Sequence, residues 1–227
     1  MKAAAMVGNN VVNNEIEKQN KRKNQDEILA VLKETYKGIG PALRFGSIYQ
    51  LLVAVILSAQ TNDNQVNKIT EELFKEYGTP ETMAKLSQEE IEDYIRTCGL
   101  YKNKAKSIYQ TTRILLDEYN GEVPKDRNLL MKLPGVGRKT ANVVLSVGFK
   151  EPALAVDTHV FRVAHRMGLS CGKNPDAVEK DLCAVIPRDD WADAHHWLIW
   201  HGRKACTAKK FDCEKCPVGK ICPKILG

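Results

Sequence analysis

The chain has 227 residues, of which 43% are hydrophobic and 27% charged, and this balance excludes an intrinsically disordered protein. Its length suits one large domain or two small ones with a sizeable core. The net charge of +6 permits a polyanionic partner. The longest apolar run, residues 51–57, is too short to cross a bilayer, and the N-terminus lacks the apolar core of a secretory signal. We therefore expect an intracellular, cytoplasmic protein with no membrane partner.

The spacing of apolar residues predicts helices along nearly the whole chain. Residues 1–24 are rich in Asn and Lys without periodicity, and we expect a disordered tail there with a helix starting near Gln25. A capping box at Ser87 and Glu90 predicts the start of a further helix. The sequence contains no alternating strand with a hairpin turn, so the predicted fold class is all-α. The predicted helices span residues 26–36, 48–60, 62–77, 87–98, 103–119, 126–133, 138–147, 158–167, 175–185 and 190–201.

A turn with two glycines joins two of these helices at residues 133–141, which read LPGVGRKTA. Pro134 ends the preceding helix, because proline cannot occupy a helix interior. Gly135 and Gly137 carry no Cβ, so a large surface could approach their backbone amides. The unpaired amides at the start of the next helix attract an anion, and phosphate is the usual one. An ordinary helix corner is the alternative interpretation.

Lys139 lies in the first turn of the helix that follows this turn. A cation is unfavourable there, because the helix dipole is positive at its N-terminal end. Helix position and partial burial would both favour the neutral amine, which is the nucleophilic form. Lys139 is therefore our candidate nucleophile, and a surface lysine is the alternative.

Asp157 follows Lys139 by 18 residues, after one helix and a short extended segment. That separation could return its carboxylate to the start of the Lys139 helix. Aspartate directly before a helix is also a favoured N-cap. The two roles are compatible, because a capping carboxylate has a second oxygen that can face a cleft.

The last 22 residues contain four of the seven cysteines, spaced Cys206-x6-Cys213-x2-Cys216-x5-Cys222. In a reducing cell such crowding indicates a metal rather than disulfides. Structural zinc more often uses two Cys-x(2–4)-Cys pairs, and only one such pair is present. The wide, irregular spacing favours a [4Fe-4S] cluster, with zinc as the alternative. From Arg203 to Lys224 there are seven Lys and Arg residues against two acids, a local charge of +5.

Together, LPGVGRKTA at residues 133–141, VDTH at residues 156–159 and the four-cysteine loop resemble the endonuclease III family of helix-hairpin-helix DNA glycosylases of base excision repair. Four shorter segments are also similar to this family. They read LSAQ at residues 57–60, GLY at residues 99–101, NGEVP at residues 120–124 and HHWLIWHG at residues 195–202. The resemblance runs from about residue 26 to the C-terminus.

The resemblance implies two helical lobes with a DNA cleft between them. A six-helix, helix-hairpin-helix domain would span residues 41–151. A [4Fe-4S] cluster domain would combine residues 25–40 with residues 152–227. The implied partner is double-stranded DNA containing damaged pyrimidines or abasic sites, bound by a monomer associated with the nucleoid.

The resemblance also implies roles for individual residues. The catalytic residues would be Lys139 and Asp157, and the enzyme would be a bifunctional glycosylase and AP lyase for oxidised or saturated pyrimidines such as thymine glycol. The implied DNA-binding residues are Gln60, Leu100, Gly135, Gly137, Lys209 and Lys210. The implied cluster ligands are Cys206, Cys213, Cys216 and Cys222.

Two other functions fit part of the sequence. A monofunctional mismatch glycosylase would need no amine at Lys139. A non-catalytic iron–sulfur DNA-binding module that senses redox state would leave both Lys139 and Asp157 without a role.

Overall fold

The structure, a computed structural model, describes the backbone of residues 2–226 and the side chains of residue 15 and residues 17–226. The predicted all-α class is confirmed: within these ranges the chain is helical and forms no strand beyond one isolated bridge between Cys206 and Phe211. None of the described helices is long and apolar enough to cross a membrane. The chain divides into two compact units, one over Met1–Ile39 with Val156–Gly227 and one over Gly40–Ala155.

The unit over Gly40–Ala155 is built around one helix that is buried on nearly all sides. This helix, α2, packs against three other helices of the unit, as its continuous apolar sequence predicts. The last helix of the unit continues through a π-helical turn at Val144–Gly148. The helices of this unit are α2 (Ile48–Ser58), α3 (Asp63–Tyr77), α4 (Pro80–Met83), α5 (Gln88–Tyr94), α6 (Tyr101–Tyr119), α7 (Arg127–Leu130) and α8 (Arg138–Val143).

The start of α5 agrees with the predicted capping box, whereas α6 starts at Tyr101 rather than residue 103 and has no side-chain cap. The Ser87–Glu90 box is complete, because the Glu90 amide donates to the Ser87 hydroxyl and the Ser87 amide donates to the Glu90 carboxylate. Helix ends differ more: α5 stops at Tyr94 rather than near Cys98, because the Cys98 amide donates to the Ile95 carbonyl in a tighter turn. The four-residue helix α4 is too short to show a periodicity and was not predicted.

The other unit contains the N-terminal helix and, among the described residues after Val156, three α-helices and a 3-10 turn at Arg188–Asp190. These helices are α1 (Lys2–Thr35), α9 (Thr158–Arg166), α10 (Pro175–Val185) and α11 (Trp191–Lys204). Helix α11 packs against both α1 and α9 and forms the centre of the unit. Most of residues 205–226 follows as turns, and this segment carries the four crowded cysteines.

The first helix begins earlier than Gln25. The tail expected over residues 1–24 lies mostly outside the described side chains, but residues 17–24 are helical and continuous with the predicted helix. Polar contacts hold this part of α1, among them a bond of 3.4 Å from Arg22 to the Ala184 carbonyl. Arg22 forms an ion pair of 3.2 Å with Asp26 one turn later, and the Asn24 amide donates to the Ile221 carbonyl at 2.8 Å.

Candidate functional site

The turn between α7 and α8 is held against α6 by close backbone contact. The Thr111 hydroxyl of α6 donates to the Pro134 carbonyl at 3.0 Å, and the Val136 amide closes the turn on the Leu133 carbonyl. Gly135 has φ +80°, and a Cβ at this position would lie 2.8 Å from the Ser107 Cβ. Both the backbone conformation and the space therefore require glycine at this position.

Gly137 plays a different part from Gly135. Its φ of −88° is open to any residue, and a Cβ there would meet no atom within 4 Å. It is the N-cap of α8, and no side chain caps that helix end. The N-cap residue itself therefore supplies no side-chain acceptor, and the open surface beside Gly137 at the N-terminal end of α8 suits an anion.

Lys139 lies in the first turn of α8 and is exposed, rather than partly buried as we expected. The residue projects from the open end of the helix, whereas the buried face of α8 is formed by Ala141 and Asn142. Asn142 is fully buried and donates to the Leu154 carbonyl at 2.9 Å. This bond anchors α8, so the exposed Lys139 is carried by a helix that is fixed in the unit.

Asp157 is the N-cap of α9, as one of its two interpretations predicted. Its Oδ1 accepts from the amides of His159 and Val160, both at 2.8 Å. Both bonds use the same oxygen of the half-buried carboxylate. The cap therefore occupies Oδ1 and leaves Oδ2 for other chemistry.

Gln60 and Leu100 lie on two adjacent loops of the unit over Gly40–Ala155. A Cβ added at Gly99 would lie 3.4 Å from the Gln60 carbonyl oxygen. Both residues are exposed and left-handed, with φ of 54° at Gln60 and 59° at Leu100. Leu100 presents 55% of its surface to solvent, so its apolar side chain is available for contact.

The four crowded cysteines line one pocket in the unit that contains α9 and α11. Among the residues with described side chains, no three His, Cys, Asp or Glu groups are close enough to hold a single metal ion. Burial raises the pKa of the Cys216 and Cys222 thiols, and the neighbouring thiols raise it further. The four thiols therefore share one pocket, and thiolates are ligands of both zinc and iron–sulfur clusters.

Two side chains approach the sulfur atoms of this pocket. The Arg166 guanidinium lies 3.5 Å from the Cys206 Sγ, and His201 Nε2 lies 3.5 Å from the Cys216 Sγ. Burial lowers the pKa of His201 to about 4 and raises that of Tyr36 to about 12, so both stay neutral. The Tyr36 hydroxyl can then donate to His201 Nδ1 at 3.1 Å, which leaves the proton on Nε2 facing the sulfur.

Lys209 and Lys210 are exposed in the loop between the first two of these cysteines. Arg166 holds this loop, because it donates to the Thr207 carbonyl at 2.8 Å and stacks 4.5 Å from the Phe211 ring centroid. The Thr207 hydroxyl also bonds the Lys210 backbone. The two lysines thus project from an ordered turn.

The predicted site residues fall into two groups. Gln60, Leu100, Gly135, Gly137 and Lys139 belong to the unit over Gly40–Ala155. Asp157, Lys209, Lys210 and the four cysteines belong to the other unit.

Sequence reasoning missed three supporting cations. They are Arg162, which donates to the Cys206 and Gly202 carbonyls, Arg166 beside the cysteines, and the buried Lys104 on α6. Only Lys104 leaves a signal in the sequence. It lies four residues before Ile108 and so occupies the apolar stripe of its helix.

Comparison with known proteins identifies relatives over most of the chain. Residues 53–188 match the HhH-GPD superfamily of base excision DNA repair proteins. Endonuclease III of Escherichia coli K12 is 49% identical over 196 residues, which cover 86% of this chain and 93% of that protein. Endonuclease III of Bacillus subtilis is 48% identical over 175 residues, 77% of this chain and 80% of that protein.

Solved structures give the same result for the fold. A trapped endonuclease III–DNA covalent intermediate matches with a TM-score of 0.86 and 44% identity, covering 89% of this chain and 96% of that one. A thermostable thymine-DNA glycosylase matches with a TM-score of 0.81 and 25% identity, over 89% of this chain and 96% of that one.

The two glycines of the turn allow a matched test of stability. We expect Gly135→Ala to lower the free energy of unfolding by about 2 kcal/mol or more, because the added methyl meets Ser107 and φ is positive. Gly137→Ala adds its methyl in open space and should change stability by less than about 1 kcal/mol. Urea titrations of both variants measure the difference. Equal losses would contradict the separate roles of the two glycines.

Proposed function

We propose a function from one premise: this chain belongs to the endonuclease III family, within the HhH-GPD superfamily of base excision DNA repair proteins. It binds DNA and is a DNA glycosylase and AP lyase for oxidised pyrimidines. The observation that carries the residue assignment is the exposed Lys139 amine beside the glycine turn, in a chain whose fold matches a trapped covalent enzyme–DNA intermediate. A covalent intermediate requires a nucleophile, and we assign that role to Lys139.

Phosphate contacts would position the duplex. We assign one phosphate to the amides after Gly135 and Gly137, and another to Lys209 and Lys210 on their ordered loop. Such contacts carry no sequence information, which suits an enzyme that must search all of the DNA. They also make affinity fall as salt rises.

A damaged base inside a duplex is out of reach, so the nucleotide must leave the stack. We assign the exposed Gln60 to the space that the nucleotide vacates, and the exposed Leu100 to the opposite strand. Both side chains project from loops rather than from a flat helix face, so they can enter a duplex. An exposed leucine has a role under this assignment, because base stacking buries its apolar surface.

The chemistry begins at the sugar. The neutral Lys139 amine attacks C1′ and forms a carbon–nitrogen bond as the glycosidic bond breaks, and the base leaves with the bonding electron pair and takes up a proton. The bound amine then loses a proton, and its electron pair forms the C1′=N bond as the C1′–O4′ bond breaks. O4′ takes up a proton, which gives a ring-opened, protonated Schiff base. Removal of a proton from C2′ then expels the 3′ phosphate by β-elimination, which nicks the strand.

Asp157 would assist at the same carbon. Its Oδ1 is committed to the cap of α9, so we assign Oδ2 to the reaction. A carboxylate stabilises the positive charge that develops on the sugar as the glycosidic bond breaks. It can also accept a proton from the attacking amine.

Cys206, Cys213, Cys216 and Cys222 would hold a [4Fe-4S] cluster. Bound there, the cluster would cross-link the C-terminal loop and so fix the turn that carries Lys209 and Lys210. Arg166 and His201 would donate to the thiolates and offset part of their negative charge. The loop has little helix and few apolar residues to hold it otherwise, so a cross-link suits it.

The enzyme would work as a monomer on damaged pyrimidines and abasic sites in double-stranded DNA. Its substrate would keep it with the nucleoid inside the cell.

Replacing the nucleophile gives a direct test. Borohydride should trap the protein covalently on a duplex with an abasic site, and Lys139→Gln should abolish trapping, because an amide cannot form a Schiff base. Lys68→Gln, which removes an exposed lysine from α3, is the matched control and should trap normally. Trapping at the normal level in Lys139→Gln would remove Lys139 from the mechanism.

The substitution Asp157→Asn separates the capping role of Asp157 from its proposed role in the reaction. Asparagine caps helices about as well as aspartate, so unfolding free energy should change by less than about 1 kcal/mol. DNA affinity should be largely kept, while single-turnover excision of thymine glycol should fall by at least about 100-fold, the usual size of a proton-transfer contribution. A variant that unfolds easily but keeps its activity per folded molecule would mean that Asp157 is only a cap.

The cofactor assignment predicts a difference between cysteines. The purified protein should show broad visible absorption and contain iron and acid-labile sulfide in equal amounts. Cys213→Ser should lose both, whereas Cys171→Ser, at an exposed cysteine of the same unit outside the pocket, should keep them. One zinc per chain and a colourless protein would overturn the assignment.

A further inference from the structure

Gln60 and Leu100 are exposed and adopt a backbone conformation that ordinary residues avoid, as do Asn120 and Lys150 of the same unit. Gln60 and Leu100 have φ of 54° and 59°, a region that costs non-glycine residues roughly 1 kcal/mol or more. Gln60 follows the end of α2, and Leu100 immediately precedes α6. Surrounding contacts must hold both residues in this conformation.

Lys104 lies under the surface next to the loops that carry Gln60 and Leu100. It is a buried lysine, with 5% of its surface exposed, and its Nζ donates to the Leu57 carbonyl at 2.8 Å and to the Thr61 hydroxyl at 2.9 Å. These two partners bracket Gln60 in the chain. The Lys104 side chain therefore holds the loop that carries Gln60. That loop packs in turn on the residue before Leu100, because a Cβ at Gly99 would lie 3.4 Å from the Gln60 carbonyl oxygen and 4.0 Å from the Thr61 hydroxyl.

The chemistry of the side chain suits this place. The Leu57 carbonyl belongs to the last turn of α2, where the helix dipole is negative and a cation is favourable. Burial lowers the pKa of Lys104, although Cys98 nearby opposes the shift. An apolar side chain of similar length could fill the space, but it would leave the Leu57 carbonyl and the Thr61 hydroxyl without their donor.

We propose that Lys104 is a positioning residue that fixes Gln60 and Leu100 in the geometry with which they enter the duplex. This inference rests on the proposed function, which assigns DNA insertion to those two side chains. Lys104 itself touches neither the sugar nor the base. Its effect on the reaction passes entirely through the two loops.

Amide hydrogen exchange in the DNA-free protein tests whether Lys104 orders the two loops. Lys104→Met should speed amide hydrogen exchange in residues 58–62 and 98–101, while exchange in α3 stays as in the wild type. Thr61→Val removes one of the two acceptors and should give a smaller change in residues 58–62, and Thr61→Ser should restore protection. These milder variants decide the question even where Lys104→Met folds poorly. Unchanged exchange in Lys104→Met and Thr61→Val would overturn the proposal.

Insertion of Gln60 and Leu100 into DNA can be measured on a duplex that the enzyme cannot cleave. A duplex carries a tetrahydrofuran abasic analogue opposite 2-aminopurine, whose fluorescence rises when the opposite base is unstacked. Lys104→Met should lose most of the rise seen with saturating wild-type protein, and single-turnover excision of thymine glycol should slow by at least about tenfold. In a Gln60→Ala, Leu100→Ala background, Lys104→Met should add no further loss. A full additional loss there would mean that Lys104 acts through general stability, and the proposal would be wrong.

The outcomes separate this inference from the proposed chemistry. Wild-type protein that raises the fluorescence but is not trapped by borohydride would refute the Lys139 mechanism alone. Wild-type protein that is trapped, with a normal fluorescence rise in Lys104→Met, would refute the role of Lys104 alone.

Discussion

The close approach of the Gly135 turn to helix α6 is the constraint on which this unit depends. Gly135 packs on Ser107 with no room for a Cβ, and Thr111 of the same helix bonds the Pro134 carbonyl. Two residues later the chain enters α8 with its amides at an open surface, and Lys139 stands in the first turn. The position of Lys139, the proposed nucleophile, relative to α6 is therefore set by close packing of the turn backbone on that helix, which tolerates little displacement.

Helix α6 also supports the parts of the unit assigned to the duplex. Leu100 lies directly before its first residue, Lys104 in its first turn bonds both sides of Gln60, and Ser107 and Thr111 hold the glycine turn. One rigid helix thus serves the proposed phosphate site, the nucleophile and the two inserted side chains. A shared support keeps their separations fixed, which the proximity contribution to catalysis requires.

In the other unit, cationic side chains rather than close packing hold the loop that carries the proposed site residues. Its C-terminal loop has little regular structure, so backbone carbonyls and sulfur atoms there need donors from elsewhere. Arg162 and Arg166 on α9 supply donors to the Cys206 and Thr207 carbonyls, and His201 on α11 faces Cys216. The same helix α9 begins at Asp157. The proposed catalytic carboxylate and the cysteine loop therefore share one rigid element, so ordering of the loop and placement of the cap are linked.

The sequence alone determined the helical class, most helix starts and the candidate chemistry. Local rules carry that information: apolar residues recur with the helix period, Ser87, Asn174 and Asp157 cap the helices that follow them, and the glycine turn and the cysteine spacing lie within short segments. Helix ends were less predictable, because α2 and α5 stop where a side chain or a tight turn takes over their carbonyls.

Only the tertiary structure decided which residues support the site. The two glycines look alike in the sequence, and they differ because one meets Ser107 and the other meets open space. The place of Lys104 on the apolar stripe of α6 indicates burial but not its partners, because Leu57 and Thr61 lie more than forty positions away. Such roles depend on which surfaces meet when distant segments pack, and no local pattern of residues encodes that meeting.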